Sequence, residues 1–414
     1  MRAWQSIHKE EHLQRIEGGT ITSPQGFVAG AAYAGLKVMG EDLRDVGILF
    51  SEAPCLAAAV YTSNVVKAAP LVVTQEHLRN GRARALVVNS GNANACTGEQ
   101  GRADAREMAA LTAKKVGIAT EEVAVASTGV IGVPMPMEQV RPAIERISLS
   151  REGGHELARA IVTTDTFTKE IAVAVRLGDG RRVMVGGIAK GAGMIHPNMA
   201  TLLGFVATDA ALSPDFVTEA LTEATDSSFN VISVDGDTST NDNVVLFANG
   251  LAGNAPIAAG TPDAEAFQLA LNEVCIYLAK SIARDGEGAS RLLEVTVQGA
   301  LTVADARKAA RGVVSSSLLK AAVYGADPNW GRVLMALGNS GAAMIEEKTD
   351  LYMGEVCLMK SGRPMPFDRD AASRSMTGKE VAFQVHLNMG EACATAWGCD
   401  LTEQYVIINS AYTT

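Results

Sequence analysis

Short apolar runs of strand length alternate with segments of helical periodicity along almost the whole chain, and this alternation restricts the fold more than any other feature. It predicts an α/β or α+β protein, because strands and helices that alternate pack as layers around a shared core. The chain has 414 residues. Single cores stop growing at about 250–300 residues, so we expect two lobes that share one large core, with a boundary near residue 288.

Hydrophobic spacing predicts where the individual elements lie. Apolar runs predict strands at residues 45–51, 57–62, 84–89, 123–127, 171–177, 182–188, 201–206, 244–248, 292–297, 351–358, 381–386 and 404–408. Helical spacing predicts helices at residues 101–116, 137–147, 154–162, 215–229, 263–284 and 304–324.

Composition excludes several classes of protein. The formal net charge is −10 and aromatic residues make up only 5%, which disfavours nucleic acids and anionic membrane surfaces as partners. No apolar run approaches the roughly 20 residues that a membrane-spanning helix needs, and the polar first 19 residues lack the apolar core of a signal peptide. The six cysteines show no Cys-x-x-Cys spacing, which indicates buried free thiols and not a zinc site or disulfides. These features predict a cytoplasmic enzyme.

Familiar catalytic motifs are absent or incomplete. The chain has no Walker phosphate loop and no Gly-x-Ser-x-Gly around Ser90. The glycines after Lys190 begin like a dinucleotide fingerprint, but His196 occupies the third glycine position. Residues 235–239 resemble the start of a calcium loop but lack its sixth-position glycine and twelfth-position glutamate, so a polar turn is the favoured interpretation.

Residues 190–201 have the composition that a self-cleaving loop requires. Glycines and Pro197 allow or impose unusual backbone conformations, and the small Ala200 precedes Thr201, which opens an apolar run. The Thr201 hydroxyl could attack the Ala200 carbonyl, and hydrolysis of the resulting ester would free the α-amine of Thr201. A threonine next to its own α-amine, whose pKa is about 7.7–8.0, is a recognised activated nucleophile. The spacing alone leaves open a glycine-rich loop in which Thr201 is an ordinary strand residue.

Several long motifs occur in one order between residues 19 and 414, and together they resemble one family. These motifs are residues 23–27 (SPQGF), 88–98 (VNSGNANACTG), 127–132 (STGVIG), 163–166 (TTDT), 190–201 and 327–332 (DPNWGR). They are similar to the glutamate N-acetyltransferase (ornithine acetyltransferase) family of arginine biosynthesis. The resemblance implies an α-β-β-α sandwich of the kind found in self-processing aminopeptidases, over residues 1–287. A smaller C-terminal domain would follow over residues 288–414, with its tail returning to the active site.

The resemblance also implies roles for individual residues. Thr201 would be the nucleophile, freed by a cut between Ala200 and Thr201 that leaves chains of residues 1–200 and 201–414. Thr128 and Gly129 would form the oxyanion hole, which stabilises the negative oxygen of the tetrahedral intermediate. The implied substrate-binding residues are Thr164, Lys190, Thr201, Glu287, Asn409 and Thr414, and no metal is implied. Taken alone, Lys190 would be a solvated surface charge and the C-terminal residues a frayed end.

The implied reaction is a two-step acetyl transfer from N2-acetylornithine to glutamate, which yields ornithine and N-acetylglutamate without a cofactor. Acetyl-coenzyme A could be a further acetyl donor, and the implied assembly is a heterotetramer of two cleaved chains of each kind. Two alternatives remain at this point. A self-processing aminopeptidase or amidase would release its product without an acceptor, and a non-catalytic binding protein would keep the chain uncut.

Overall fold

The computed structural model describes residues 13–37, 44–196 and 202–411. Within these ranges the strands are β1 (Leu13–Arg15), β2 (Phe27–Ala32), β3 (Val46–Ser51), β4 (Leu56–Tyr61), β5 (Ala85–Asn92), β6 (Val123–Val130), β7 (Lys169–Arg176), β8 (Arg182–Lys190), β9 (Leu203–Thr208), β10 (Ile232–Ser233), β11 (Asn243–Ala248), β12 (Leu292–Ala300), β13 (Asp350–Met353), β14 (Val356–Lys360), β15 (Arg363–Pro364), β16 (Glu380–His386) and β17 (Ala392–Cys399).

The α-helices within the same ranges are α1 (Ala69–His77), α2 (Gly98–Val116), α3 (Met137–Arg146), α4 (Gly154–Ile161), α5 (Pro214–Ser227), α6 (Pro262–Arg284), α7 (Val303–Val314), α8 (Ser317–Tyr324), α9 (Gly331–Asn339), α10 (Arg369–Ser375) and α11 (Glu403–Ala411).

Two sheets face each other at the centre of the molecule. One has the strand order β2-β3-β5-β6 and the other the order β1-β7-β8-β9-β11-β4. One apolar cluster joins Leu86 and Val88 of the four-stranded sheet to Phe205 and Phe247 of the six-stranded sheet. The strands are therefore apolar on the faces that meet, and the two sheets form a sandwich.

Helices cover the outer face of each sheet. The outer side chains of the four-stranded sheet pack with Met108 of α2 and Ile144 of α3. On the other side, Val185 and Leu246 pack with side chains of α5 and α6 such as Phe267. The layers follow the order helix, sheet, sheet, helix, so the predicted α-β-β-α sandwich of mixed α/β class is confirmed.

A third sheet, of order β10-β17-β12-β16-β13-β14-β15, contains all the strands that follow helix α6 in the described chain. Helix α7 packs on it, and the apolar cluster of α5 and α6 continues into this sheet without a break. The two-residue strand β10 joins the third sheet by pairing in parallel with β17, although it precedes residue 288 in the sequence. The domain limit at residues 287/288 stays a prediction.

The structure corrects three of the predicted elements. Residues 304–324 are not one helix, because α7 ends at Val314 and the hydroxyl of Ser316 caps the separate helix α8 by accepting a hydrogen bond from the Leu319 amide. Residues 351–358 are not one strand but belong to the hairpin of β13 and β14. Residues 404–408 are not a strand, because they lie in helix α11.

The described part of the chain has neither a membrane-spanning helix nor a cluster of metal-binding side chains. No helix there has both the length and the apolar character needed to cross a membrane. Among the same residues, no group of three or more His, Cys, Asp or Glu side chains is arranged to hold a metal ion.

Candidate active site

A cavity of about 1030 Å³ opens where the ends of strands from both sandwich sheets meet helix α11. Its lining includes every predicted site residue that the structure describes, namely Thr128, Gly129, Thr164, Lys190, Glu287 and Asn409. Leu202, the residue that follows Thr201 in the chain, also lines it. Ala200, Thr201 and Thr414 lie outside the described residues. The structure thus brings together residues that are up to 281 positions apart in the sequence, from Thr128 to Asn409.

The turn at Thr128 and Gly129 lies at the end of β6, where its parallel pairing with β5 becomes irregular around Asn92. Gly129 has φ +131°, in the region that favours glycine. A Cβ atom on Gly129 would lie 2.3 Å from the carbonyl carbon of Gly91, closer than any real contact. The chain therefore needs glycine at position 129, because only a residue without a Cβ lets the backbone of this turn lie so close to the neighbouring strand.

Lys190 is the last residue of β8 and is buried, with only 8% of its surface exposed. Its Nζ atom donates hydrogen bonds to Thr163 Oγ1 at 2.7 Å and to Thr128 Oγ1 at 3.4 Å. Burial lowers the pKa of the Lys190 ammonium, and the carboxylate of Asp165 opposes this effect. Lys190 is therefore not the solvated surface charge that a lone lysine would be, and it offers a cation to the cavity.

Asp165 lies beneath Lys190 and connects it to a buried network. Its carboxylate accepts hydrogen bonds from the Gly191 amide and from Lys169 Nζ, each at 2.7 Å. Lys169 Nζ also donates to Asp285, at 2.5 Å. Burial alone would raise the pKa of the Asp165 carboxyl, but Lys190 and Lys169 lower it to about 2. This network fixes the backbone at the end of β8. The motif at residues 163–166 was a signal for Asp165, although we predicted a role only for Thr164.

Glu287 provides the negative charge on another wall of the cavity. It is 8% exposed, and its backbone amide donates to the Ala192 carbonyl at 2.9 Å. Asn409 of α11 donates from its side-chain amide to Glu287 Oε2 at 2.8 Å. Gly193 makes room for this carboxylate, since a Cβ atom there would lie 2.4 Å from the Glu287 carboxyl carbon. A side chain at position 193 would therefore displace the Glu287 carboxylate.

The acidic segment 235–242 contacts the loop that precedes the predicted cut. Asp235 accepts hydrogen bonds from the backbone amides of Met194, at 2.6 Å, and Ile195, at 2.8 Å. Asp242 also lines the cavity and is buried. The sequence predicted only a polar turn here, because nothing in its local pattern shows that it meets residues 194–195. Asp235 and Asp242 are therefore residues of the site that the sequence did not reveal.

A cavity that carries a buried ammonium and a carboxylate can pair with both charges of a zwitterion, so the fold and the site define an enzyme with a pocket for a polar small molecule. Residues 28–414 match the model of the ArgJ family, and the chain belongs to this family.

Relatives of known name are similar over nearly the full length. The "Arginine biosynthesis bifunctional protein ArgJ" of Symbiobacterium thermophilum is 56% identical over 404 residues, which cover 97% of this chain and all of the relative. The protein of the same name from Geobacillus kaustophilus is 47% identical over 402 residues, covering 96% and 97% of the two chains. The predicted acyltransferase of arginine biosynthesis is confirmed at the level of the family.

A solved structure is also similar. It is the crystal structure of the Arginine biosynthesis bifunctional protein argJ from Bacillus halodurans, which is 44% identical with a TM-score of 0.50. The match covers 51% of this chain and the whole of that solved chain.

Proposed function

We propose that this chain transfers an acetyl group from N2-acetylornithine to glutamate through an acetyl ester on Thr201. The observation that carries this proposal is the convergence of Thr128, Gly129, Lys190 and Glu287 on one cavity, beside the residue that follows Thr201. The motifs around these residues are those that resemble ornithine acetyltransferases. A single pocket with both charges can receive acetylornithine and glutamate in turn.

The nucleophile is created by the chain itself. The Thr201 hydroxyl attacks the Ala200 carbonyl carbon, the peptide bond is replaced by an ester, and water hydrolyses this ester. The products are fragments of 200 and 214 residues, and the second begins with a free α-amine. The extent of the B. halodurans match supports this step, because a solved chain that spans 51% of ours has the length of such a fragment.

The acetyl transfer then proceeds in two halves. In the first, the α-amine of Thr201 takes the hydroxyl proton, Thr201 Oγ attacks the acetyl carbon, and ornithine leaves. In the second, the α-amine of glutamate attacks the ester and N-acetylglutamate leaves. The turn at Thr128 and Gly129 stabilises the oxyanion in both halves, and one such donor contributes about 3–4 kcal/mol in comparable enzymes.

The two charged residues position the substrates. Lys190 binds the α-carboxylate that acetylornithine and glutamate share, because its ammonium is buried beside Thr128. Glu287, held by Asn409, receives the side-chain ammonium of acetylornithine. Thr164 lines the same cavity and adds a hydroxyl, and Thr414 is the further binding residue that the family resemblance implies.

The proposed enzyme is cytoplasmic and needs no cofactor, because Thr201 carries the acetyl group. Acetyl-coenzyme A would be a second acetyl donor in a bifunctional enzyme, and it would acylate the same threonine. Two copies of each cleaved chain would form the heterotetramer that the family resemblance implies.

Intact-mass spectrometry of the purified wild-type chain and of Thr201→Ala tests the proposal. We expect two fragments from the wild type and one uncut chain from the variant. Addition of N2-acetylornithine should then add one acetyl group to the fragment of residues 201–414, and glutamate should remove it. An uncut wild-type chain would favour a binding protein, and acetate release without glutamate would favour a hydrolase.

A further inference from the structure

Asp242 is a buried carboxyl group for which the proposed mechanism so far has no use. Only 3% of its surface is exposed, although it lines the cavity. Its Oδ2 atom is buried and has no hydrogen-bond partner among the described residues. A buried polar atom without a partner is costly, so its presence in a cavity wall needs an explanation, and a ligand or a reaction that uses the atom is one.

The backbone around Asp242 is held from both sides. The side-chain amide of Asn241 donates to the carbonyls of Ala93, at 2.6 Å, and Ser127, at 2.9 Å. The carbonyl of Asp242 accepts a hydrogen bond from the Thr62 amide at 2.9 Å. These bonds connect the segment to both sandwich sheets, so the Asp242 carboxyl stays in the cavity wall.

Strand pairing places Asp242 near Leu202, the second residue after the predicted cut. Asn243 lies opposite Leu203 in the parallel pairing of β11 with β9, and its amide donates to the Leu202 carbonyl at 3.0 Å. Asp242 therefore lies beside the first residues of β9, and both Asp242 and Leu202 line the cavity.

We propose that Asp242 is a further catalytic residue, whose carboxyl group exchanges a proton with the α-nitrogen of the amino-acid substrate in both halves of the acetyl transfer. This assignment rests on the proposed function. In that mechanism the α-amine of Thr201 is the base for the threonine hydroxyl, and Asp242 is the acid and base for the substrate amine.

The proton balance of the two halves provides a use for such a group. In the first half, the amide nitrogen of acetylornithine becomes an ammonium and gains two protons, one from the Thr201 hydroxyl and one from Asp242. In the second half, the ammonium of glutamate loses two protons when its nitrogen bonds to the acetyl carbon. One proton returns to Thr201 Oγ as the ester bond breaks, and the other returns to Asp242. The carboxyl group is thus neutral in the free enzyme and ionised in the acetyl-enzyme.

The charges around Asp242 agree with this cycle. Burial raises the pKa of the Asp242 carboxyl well above its ordinary value, and Ser239 and Lys190 oppose the effect. A neutral acid is therefore favoured in the free enzyme. Lys190, whose ammonium Asp242 also influences, is the cation that stabilises the carboxylate when the proton leaves.

The test compares two acceptors for the acetyl-enzyme in the wild type, in Asp242→Asn and in Asp179→Asn. Glutamate arrives as an ammonium and must lose a proton, whereas hydroxylamine is largely uncharged near neutral pH and needs no base. We expect Asp242→Asn to slow the reaction with glutamate about 100-fold or more and to change the reaction with hydroxylamine less than about threefold. Asp179, an exposed residue that pairs with Arg181, controls for the loss of one carboxylate and should leave both rates unchanged.

Equal slowing with both acceptors would overturn the proposal, because it would show that Asp242 has a structural role. An unchanged rate with glutamate in Asp242→Asn would also overturn it. If Asp242→Asn does not cut itself, Asp242→Glu becomes the deciding variant, since it retains a carboxyl group. A selective loss with glutamate would then support the proposal, and parallel losses would overturn it. A wild-type chain that never forms an acetyl-enzyme would instead refute the proposed function.

Discussion

The side-chain amide of Asn409 donates a 2.8 Å hydrogen bond to Glu287 Oε2, and this bond ties the last helix of the described chain to the wall of the cavity. None of the residues of α11 is fully buried. At its start, the hydroxyl of Thr402 donates to the Gly288 carbonyl at 2.7 Å and accepts from the Gln404 amide at 3.1 Å. Helix α11 is therefore held by a few polar contacts, and one of them involves a predicted substrate-binding carboxylate.

Removing the Asn409 amide should weaken substrate binding. A hydrogen bond to a charged group contributes about 1.5–3 kcal/mol, so Asn409→Ala should raise the KM for N2-acetylornithine about 10-fold or more. The variant should lower kcat less, because the amide does not touch the acetyl group. Steady-state kinetics check this, with Ser410→Ala as a control because the Ser410 hydroxyl donates to the Ile407 carbonyl within the same helix. An unchanged KM in Asn409→Ala would show that this bond does not position Glu287.

Adding a methyl group at Gly129 should disrupt the predicted oxyanion hole. Gly129→Ala combines an unfavourable φ of +131° with a Cβ that would lie 2.3 Å from the Gly91 carbonyl carbon, so the turn must shift. We expect kcat to fall about 100- to 1000-fold, as when an oxyanion donor is lost. Gly132→Ala is the matched control, because Gly132 also has positive φ but has free space around it. The control should lose about 1 kcal/mol of stability and retain activity, and equal losses of kcat in both variants would contradict a specific role for the turn.

Asp165 should make the stability of the protein depend on acidic pH. Its pKa in the folded protein is about 2, below the ordinary value of about 3.9 in an unfolded chain. The stabilisation that Asp165 provides is therefore complete above about pH 4 and is lost as the pH falls toward 2. We expect the free energy of unfolding of the wild type to exceed that of Asp165→Asn by about 3–5 kcal/mol at neutral pH, since the variant leaves a buried lysine with one partner fewer.

That difference in the free energy of unfolding should shrink by about 2 kcal/mol between pH 5 and pH 2. Urea unfolding at several pH values measures it, and the exposed Asp179→Asn should follow the wild-type curve. A difference between wild type and Asp165→Asn that stays constant over this range would mean that the Asp165 pKa is not depressed.

The cysteines should fall into distinct reactivity classes. Cys55, Cys275 and Cys399 are buried, and burial raises the pKa of the Cys55 and Cys275 thiols to about 12. Cys96 and Cys393 are exposed, contrary to the expectation of buried thiols, and Cys357 is intermediate. We expect a thiol reagent at pH 8 to label Cys96 and Cys393 quickly, Cys357 slowly and the other three only in denaturant. Peptide mass spectrometry would contradict this if Cys275 were labelled in the native protein.

Much of the fold could be predicted from the sequence because its elements have clear periodicity. Helix α6, predicted at residues 263–284, extends over Pro262–Arg284, and its start is marked by the Thr261 cap and a proline in the first turn. Helix α11 was predicted as a strand, because residues 404–408 contain the strand-favouring run Tyr-Val-Ile-Ile. The contacts of Thr402 with Gly288 and of Asn409 with Glu287 override that local preference, and both reach distant parts of the chain.

The residues of the site also divide into those that sequence motifs predict and those that only the structure identifies. Thr128, Gly129 and Lys190 were found through motifs that are continuous in sequence, and the structure brings them together. Asp242 was not found, because its significance comes from burial and from the lack of a partner for one oxygen. These properties arise only when the ends of β9, β11 and the four-stranded sheet come together, and no local sequence pattern indicates that contact.

The strand order of the six-stranded sheet determines how readily the two fragments could separate after the proposed cut. β9 and β11 would belong to the second fragment, yet they lie between β8 and β4, which belong to the first. The fragments would be interleaved in one sheet, and neither could leave without breaking two ladders of backbone hydrogen bonds. Folding would be a unimolecular event that happens once, before the cut, whereas recovery from denaturation would require two chains to meet and would slow on dilution. The mature enzyme would then persist through slow unfolding, and a new copy would have to come from new synthesis.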